Sequence, residues 1–182
     1  MKIVAILLAA VLMPLWAQDI KMPASLDKLA TKADETVDVT LSGAMLQFAA
    51  RFASDKDADD VKVRKLLSGL QNITVKSFEF SKDGAYDKAD VDAIRDQVKG
   101  PQWSRIVAMT SKVDGDNVDV YFKDAGNGNL GGIVVLCAEP RELTIVSIVG
   151  TLDPSDLADL GGHFGIPKLL GGISIHGRRD GK

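Results

Sequence analysis

Residues 131–150, GGIVVLCAEPRELTIVSIVG, decide the architecture of this chain. Ile133 to Ala138 is an unbroken apolar run, and Leu143 to Val149 is a second, interrupted only by Thr144 and Ser147. Both are short and rich in β-branched residues, which suits strands better than helices. Between them stands Glu139-Pro140-Arg141-Glu142. Proline at the second position of such a stretch presets the φ angle of a type I or related turn, so the two runs read as antiparallel neighbours. Their apolar residues fall on both faces of each strand. Strands of that kind lie centrally in a sheet and need cover on both sides.

The pattern extends upstream. Residues 103–113 and 117–123 are strand candidates joined by Asp114-Gly115-Asp116-Asn117, a hairpin signal. Val118, Val120 and Phe122 alternate with Asp119, Tyr121 and Lys123 along the second of them. The linking segment DAGNGNLGGIVV, residues 124–135, carries Gly126, Gly128 and Gly131 in the G-x-G-x-x-G spacing of a dinucleotide loop. That fingerprint must leave a strand and enter a helix, whose N-terminus receives the pyrophosphate. Here a β-branched run follows, so there is no helix to meet phosphates. Asn127-Gly128-Asn129 instead suits the positive φ angles of a hairpin loop, and no cofactor is expected.

The first half alternates helix and strand patterns. Leu26, Leu29 and Ala33 are spaced for a short helix, and Thr36 to Leu41 alternates as a first strand. Leu41, Met45, Phe48 and Phe52 recur at helical intervals and are expected to pack into the core. Asp55, Asp57 and Asp59 resemble the opening of a calcium loop, but Asp60 and Leu66 stand where that loop needs glycine and glutamate. The acidic run is expected to start a helix carrying Val63, Leu66, Leu67 and Leu70. In NITVKSFEF, residues 72–80, Ile73 and Val75 share one face and Phe78 and Phe80 the other, so a bulge near Lys76-Ser77 is expected to restore register. Asp87 is a good N-cap for a helix bearing Val91, Ile94 and Val98, which Gly100-Pro101 stops. Asp153-Pro154 opens a last helix with Leu157 and Leu160 inward. The sum is an α+β domain over residues 18–172: an antiparallel sheet of five to six strands with three to four helices mainly on one face.

Composition bounds the function. Lys2 followed by the apolar run Ile3 to Met13, Pro14 and Leu15-Trp16-Ala17 has the form of a signal peptide, with cleavage expected after Ala17. The run is too short for a comfortable span, so export to the periplasm or the medium is expected, with no integral membrane span after signal removal. No cysteine follows the run, so no lipid anchor is expected. The net charge of −3 does not suit the concentrated basic surface that nucleic acid requires. The single cysteine, Cys137, lies inside an apolar strand and reads as a buried, inert thiol. Residues 173–182 read as a flexible tail.

Several of these features coincide with a family pattern. Trp103 with Ile106-Val107, the pair Val120-Tyr121, Glu139-Pro140 with Glu142-Leu143, and Ile148-Val149-Gly150 before Leu152 resemble the bacterial family called domain of unknown function 4252. The likeness is good over residues 70–165 and looser over 24–69. It implies an exported protein of Gram-negative bacteria and, through relatives encoded near sigma and anti-sigma factors, a link to envelope signalling. It implies no activity and no site residue.

Chemistry is sparse in the residues themselves. His163 and His176 stand apart, and no H-E-x-x-H, C-x-x-C or G-x-S-x-G motif is present. Neither a catalytic nor a metal residue is expected, and the reading leans away from an enzyme. The alternative is a hydrolase-like enzyme with a scattered site. The candidate interaction face is Val134, Leu136, Val146 and Ile148, on the two strands that are apolar on both sides. Either the chain itself covers that face, or an envelope protein, a lipid-like ligand or a second copy takes it.

Overall fold

A computed structural model describes residues 20–52 and 58–155. The expected signal segment, Asp55 and Asp57 of the acidic run, Leu157 and Leu160, both histidines and the tail lie outside the described residues. Helix α1 (Ala24–Ala30) precedes strand β1 (Glu35–Ser42), and helices α2 (Gly43–Ala50) and α3 (Ala58–Gly69) follow. Strand β2 (Leu70–Glu79) leads to helix α4 (Lys88–Arg95), a 3-10 turn (Asp96–Val98), and strands β3 (Trp103–Thr110), β4 (Asn117–Gly126), β5 (Asn129–Glu139) and β6 (Glu142–Leu152).

The six strands form one antiparallel sheet in the order β1-β2-β6-β5-β4-β3. The α+β class and the strand count are as the sequence reads. Strands β3 to β6 make a meander, and β2 then joins the free side of β6 with β1 outside it. The glycine-rich segment is the β4–β5 turn. Asn127 (φ 55°) and Gly128 (φ 79°) both occupy the left-handed region, which asparagine and glycine tolerate best.

The turn that the opening stretch foretold is clamped from outside. The N–H of Phe80 donates to the carbonyl of Arg141 at 2.8 Å, and Arg141 Nε reaches Asp83 Oδ1 at 2.6 Å. The Tyr86 hydroxyl donates to the carbonyl oxygen of Glu139, and its ring lies 5.9 Å from that of Phe80. Burial, then the charges of Glu139 and Asp116, push the Tyr86 phenol up to about 12.

Both sheet faces are covered by helix, which corrects the expectation of helices mainly on one face. On the first face Leu26 and Leu29 of α1 and Val91 and Ile94 of α4 pack with Phe78, Val134, Leu136, Leu143 and Ile145. On the second, Leu46 of α2 and Leu66 and Leu67 of α3 pack with Ile73, Val120, Ile133 and Ile148. Two apolar faces demand two covers, and the chain supplies a pair of helices to each. The same fact removes the bulge expected near Lys76-Ser77. Ile73 and Val75 serve one face and Phe78 the other, so pairing runs in register there; the shift lies between Leu70 and Asn72.

One buried charge ties the first face together. Asp119 is buried, and Arg95 of α4 meets it at 2.6 Å and Arg105 of β3 at 3.3 Å. The acid thereby links a helix and the outer strand to β4. At the start of α4, the Asp90 carboxylate accepts from the N–H of Asp87 at 3.1 Å, satisfying a donor that the first turn leaves open.

The β2–β6 irregularity brings two backbones unusually close. A Cβ on Gly150 would stand 2.4 Å from the Gly69 carbonyl oxygen and 2.7 Å from Leu70 Cα. Only glycine fits there. Gly150→Ala is expected to lower unfolding free energy by about 2–3 kcal/mol, the usual cost of overpacking, measurable by urea denaturation. A second expectation concerns pH. Tyr86 keeps its proton in the folded chain above the pH at which the unfolded chain releases it, so its contribution is complete below pH 10 and is lost as pH rises towards about 12. The stability difference between wild type and Tyr86→Phe should therefore shrink over that interval and stay constant below it.

Candidate interaction surface

Strand register places one valine from every strand in a single row across the second face. Val39 pairs with Val75, Val75 with Val146, Val146 with Val135, Val135 with Val120, and Val120 with Val107. β-branched side chains are restricted at χ1, so such a row is stiff and loses little rotamer freedom when its methyl groups are covered. On one side runs Leu41-Ile73-Ile148-Ile133, and on the other Ser77-Thr144-Cys137-Val118. Helices α2 and α3 sit over the first of these flanks. The valine row lies at the border of that cover. Val120 is buried, Val75, Val146, Val135 and Val107 are half-buried, and Val39 is exposed.

Helix α2 begins at Gly43, directly after the last residue of β1. It buries Leu46 and Ala50, four residues apart. Met45, Phe48 and Phe52 are 54, 60 and 75% exposed, which corrects their expected place in the core. The stretch from Gly43 to Ala50 is apolar almost all round, so spacing alone does not choose which stripe turns inward. The Leu46–Ala50 stripe faces the sheet, leaving the aromatic stripe outside. The rings of Phe48 and Phe52 stand edge to face, 5.0 Å apart at 79°. Beside them an apolar hollow of about 420 Å³ is lined by Leu41, Ala44, Met45, Leu46, Phe48 and Ala49.

The four residues named from sequence do not share a face. Val134 pairs with Ser147 and Val135 with Val146, so alternation sends Val134 and Leu136 to the first face and Val146 and Ile148 to the second. Val134 and Leu136 are fully buried among α1 and α4. Val146 and Ile148 remain on the half-open side. Sequence reading missed Met45, Phe48 and Phe52 as surface residues. Their signal was the lack of any polar face on α2, which marks a helix needing cover on more than one side.

Two ionisable groups near this face, Cys137 and Glu139, are shifted by burial. Burial raises the Cys137 thiol above its ordinary value, and the charges of Glu139 and Glu142 add to the effect. A thiol so held is a weak nucleophile. Burial, then Asp116 and Glu142, raise the Glu139 carboxyl. Among the described residues no group of three or more His, Cys, Asp or Glu side chains is placed to hold a metal ion. No described helix is long and apolar enough to cross a membrane.

The family model described as domain of unknown function 4252 matches residues 30–160. The chain belongs to that family, as its strand-end and turn motifs suggested. No curated protein and no solved structure matches it.

The two stripes of α2 separate in a stability measurement. Phe48→Ser and Phe52→Ser should each shift unfolding free energy by no more than about 0.5 kcal/mol, as exposed positions do. Leu46→Ala should cost about 2–5 kcal/mol, as for a buried leucine. Equal losses at all three positions would return the aromatic stripe to the core.

Proposed function

We propose that this member of the family is an exported, non-catalytic interaction protein of the periplasm or cell envelope. Its partner is an envelope protein that offers an apolar segment to the second sheet face. The observation that carries this reading is the cluster of Met45, Phe48 and Phe52, three large apolar side chains held in solvent on α2, a helix of the same sheet face as the half-buried valine row. Contiguous exposed apolar surface of this kind characterises interaction sites, and aromatic residues carry much of the binding energy at them. A stiff row of valines loses little side-chain entropy when covered, which favours association further.

Export is supported by the residues at the start of the chain, a lysine followed by an apolar run and Ala17. A signalling role at the envelope, which the family resemblance implies, would act through the same partner. The Arg95–Asp119–Arg105 cluster joins three elements, α4, β4 and β3.

Expression of the full gene in a Gram-negative host tests both parts. The periplasmic fraction should contain a chain whose first residue is Gln18 by mass spectrometry. A photo-crosslinking residue at position 52 should give a discrete adduct with an envelope protein, and the same residue at exposed Lys82 should not. Retention of an uncleaved chain in the cytoplasm would overturn the export reading. Identical adduct patterns at positions 52 and 82 would overturn the interaction reading.

A further inference from the structure

Strand β1 is one of the two edges of the sheet among the described residues. Seven of its eight residues are exposed; only Leu41 is partly covered. Its pairing to β2 runs from Glu35 to Ser42 without a shift, and it contains neither proline nor lysine. Natural edges are usually blunted by bulges, prolines or lysines, because their free N–H and C=O groups template further pairing. The opposite edge, β3, has such a device. Its register shifts between Arg105 and Val107, and Arg105 lies on it. β1 carries two acids, Glu35 at its start and Asp38 at its middle, and Asp38 is met by Lys76 of the neighbouring strand at 2.6 Å.

We propose that β1 pairs antiparallel with β1 of a second copy of this chain, about a two-fold axis at Val39. The sequence of β1, ETVDVTLS, is self-complementary in that register. An antiparallel pair about a two-fold axis normal to the sheet sets residues of one face against residues of the same face. Centred on Val39, the pairing sets Val39 against its own copy, Val37 against Leu41, and Asp38 against Thr40. Every second-face pair is then apolar, and every first-face pair includes a hydroxyl. Centring on Asp38 would instead oppose two carboxylates, which costs stability. The Val39 register also carries the valine row across the axis without a break, so two six-stranded sheets become one. It brings Val37 of the second copy against Leu41, a lining residue of the apolar hollow under α2. This pairing uses the strand edge and does not rest on the proposed function; a monomer that still crosslinks through position 52 would leave that reading intact.

The test uses the protein purified after expression of the full gene. Light scattering across a dilution series should give a dimer that dissociates on dilution. Val39→Lys should weaken it by about tenfold or more, because like charges would face each other across the axis. Register is read from cysteines: Val39→Cys should form a covalent dimer on mild oxidation, whereas Val37→Cys and wild type, with Cys137 as the common background, should not. A monomeric mass at every soluble concentration would overturn the proposal. So would a dimer in which Val39→Cys crosslinks no better than Val37→Cys, since another surface would then hold it. If Val39→Lys fails to fold by circular dichroism, the cysteine comparison alone decides.

Discussion

Strands β5 and β6 bury side chains on both sides, and that double burial governs the rest of the molecule. A sheet apolar on one face needs one layer of helix, whereas this one needs two. Helices α1 and α4 seal the first face, where Leu136, Leu143 and Ile145 are fully buried. Helices α2 and α3 reach only part of the second. The half-covered valine row and the exposed aromatics of α2 are two sides of that one shortfall.

Much of the architecture was legible in the sequence because it was written in turn chemistry. Pro140 fixed the β5–β6 connection, and Asn127-Gly128 supplied the positive φ angles that turned a dinucleotide-like pattern into a hairpin. Asp87 marked the start of α4. These signals are local, so neighbouring residues suffice to interpret them. The assignment of faces was less legible. Val134 and Val146 look equivalent along the chain, yet the pairing of Val135 with Val146 sends them to opposite sides. Register between strands is a tertiary property, and a shift of one residue exchanges the faces.

The candidate surface was hidden for a related reason. Met45, Phe48 and Phe52 keep helical spacing, and helical spacing of large apolar residues normally marks a core stripe. On α2 a rival stripe, Leu46 and Ala50, packs against the sheet instead. Smaller side chains let the helix approach β1 and β2 closely; a Cβ on Gly43 would already stand 3.1 Å from the Gln71 carbonyl oxygen. The expected bulge in β2 failed likewise. A slip in alternation is a defect only if one face is solvated, and neither face of β2 is freely so.

Strand order also settles where the entropic cost of assembly falls. Each of β3, β4 and β5 pairs with its successor across a short turn, so these contacts close small loops. β2 meets β6 only after α4 and three intervening strands, with Glu79 opposite Glu142. The cost of closing a loop grows with its length, though slowly. The first half of the chain therefore joins a platform that the second half can build from local contacts. That long closure is held by the β2–β6 ladder and the glycine contact at Gly150, and by helices α1, α2 and α3, whose side chains pack across strands of the second half and so make each half a cover for the other.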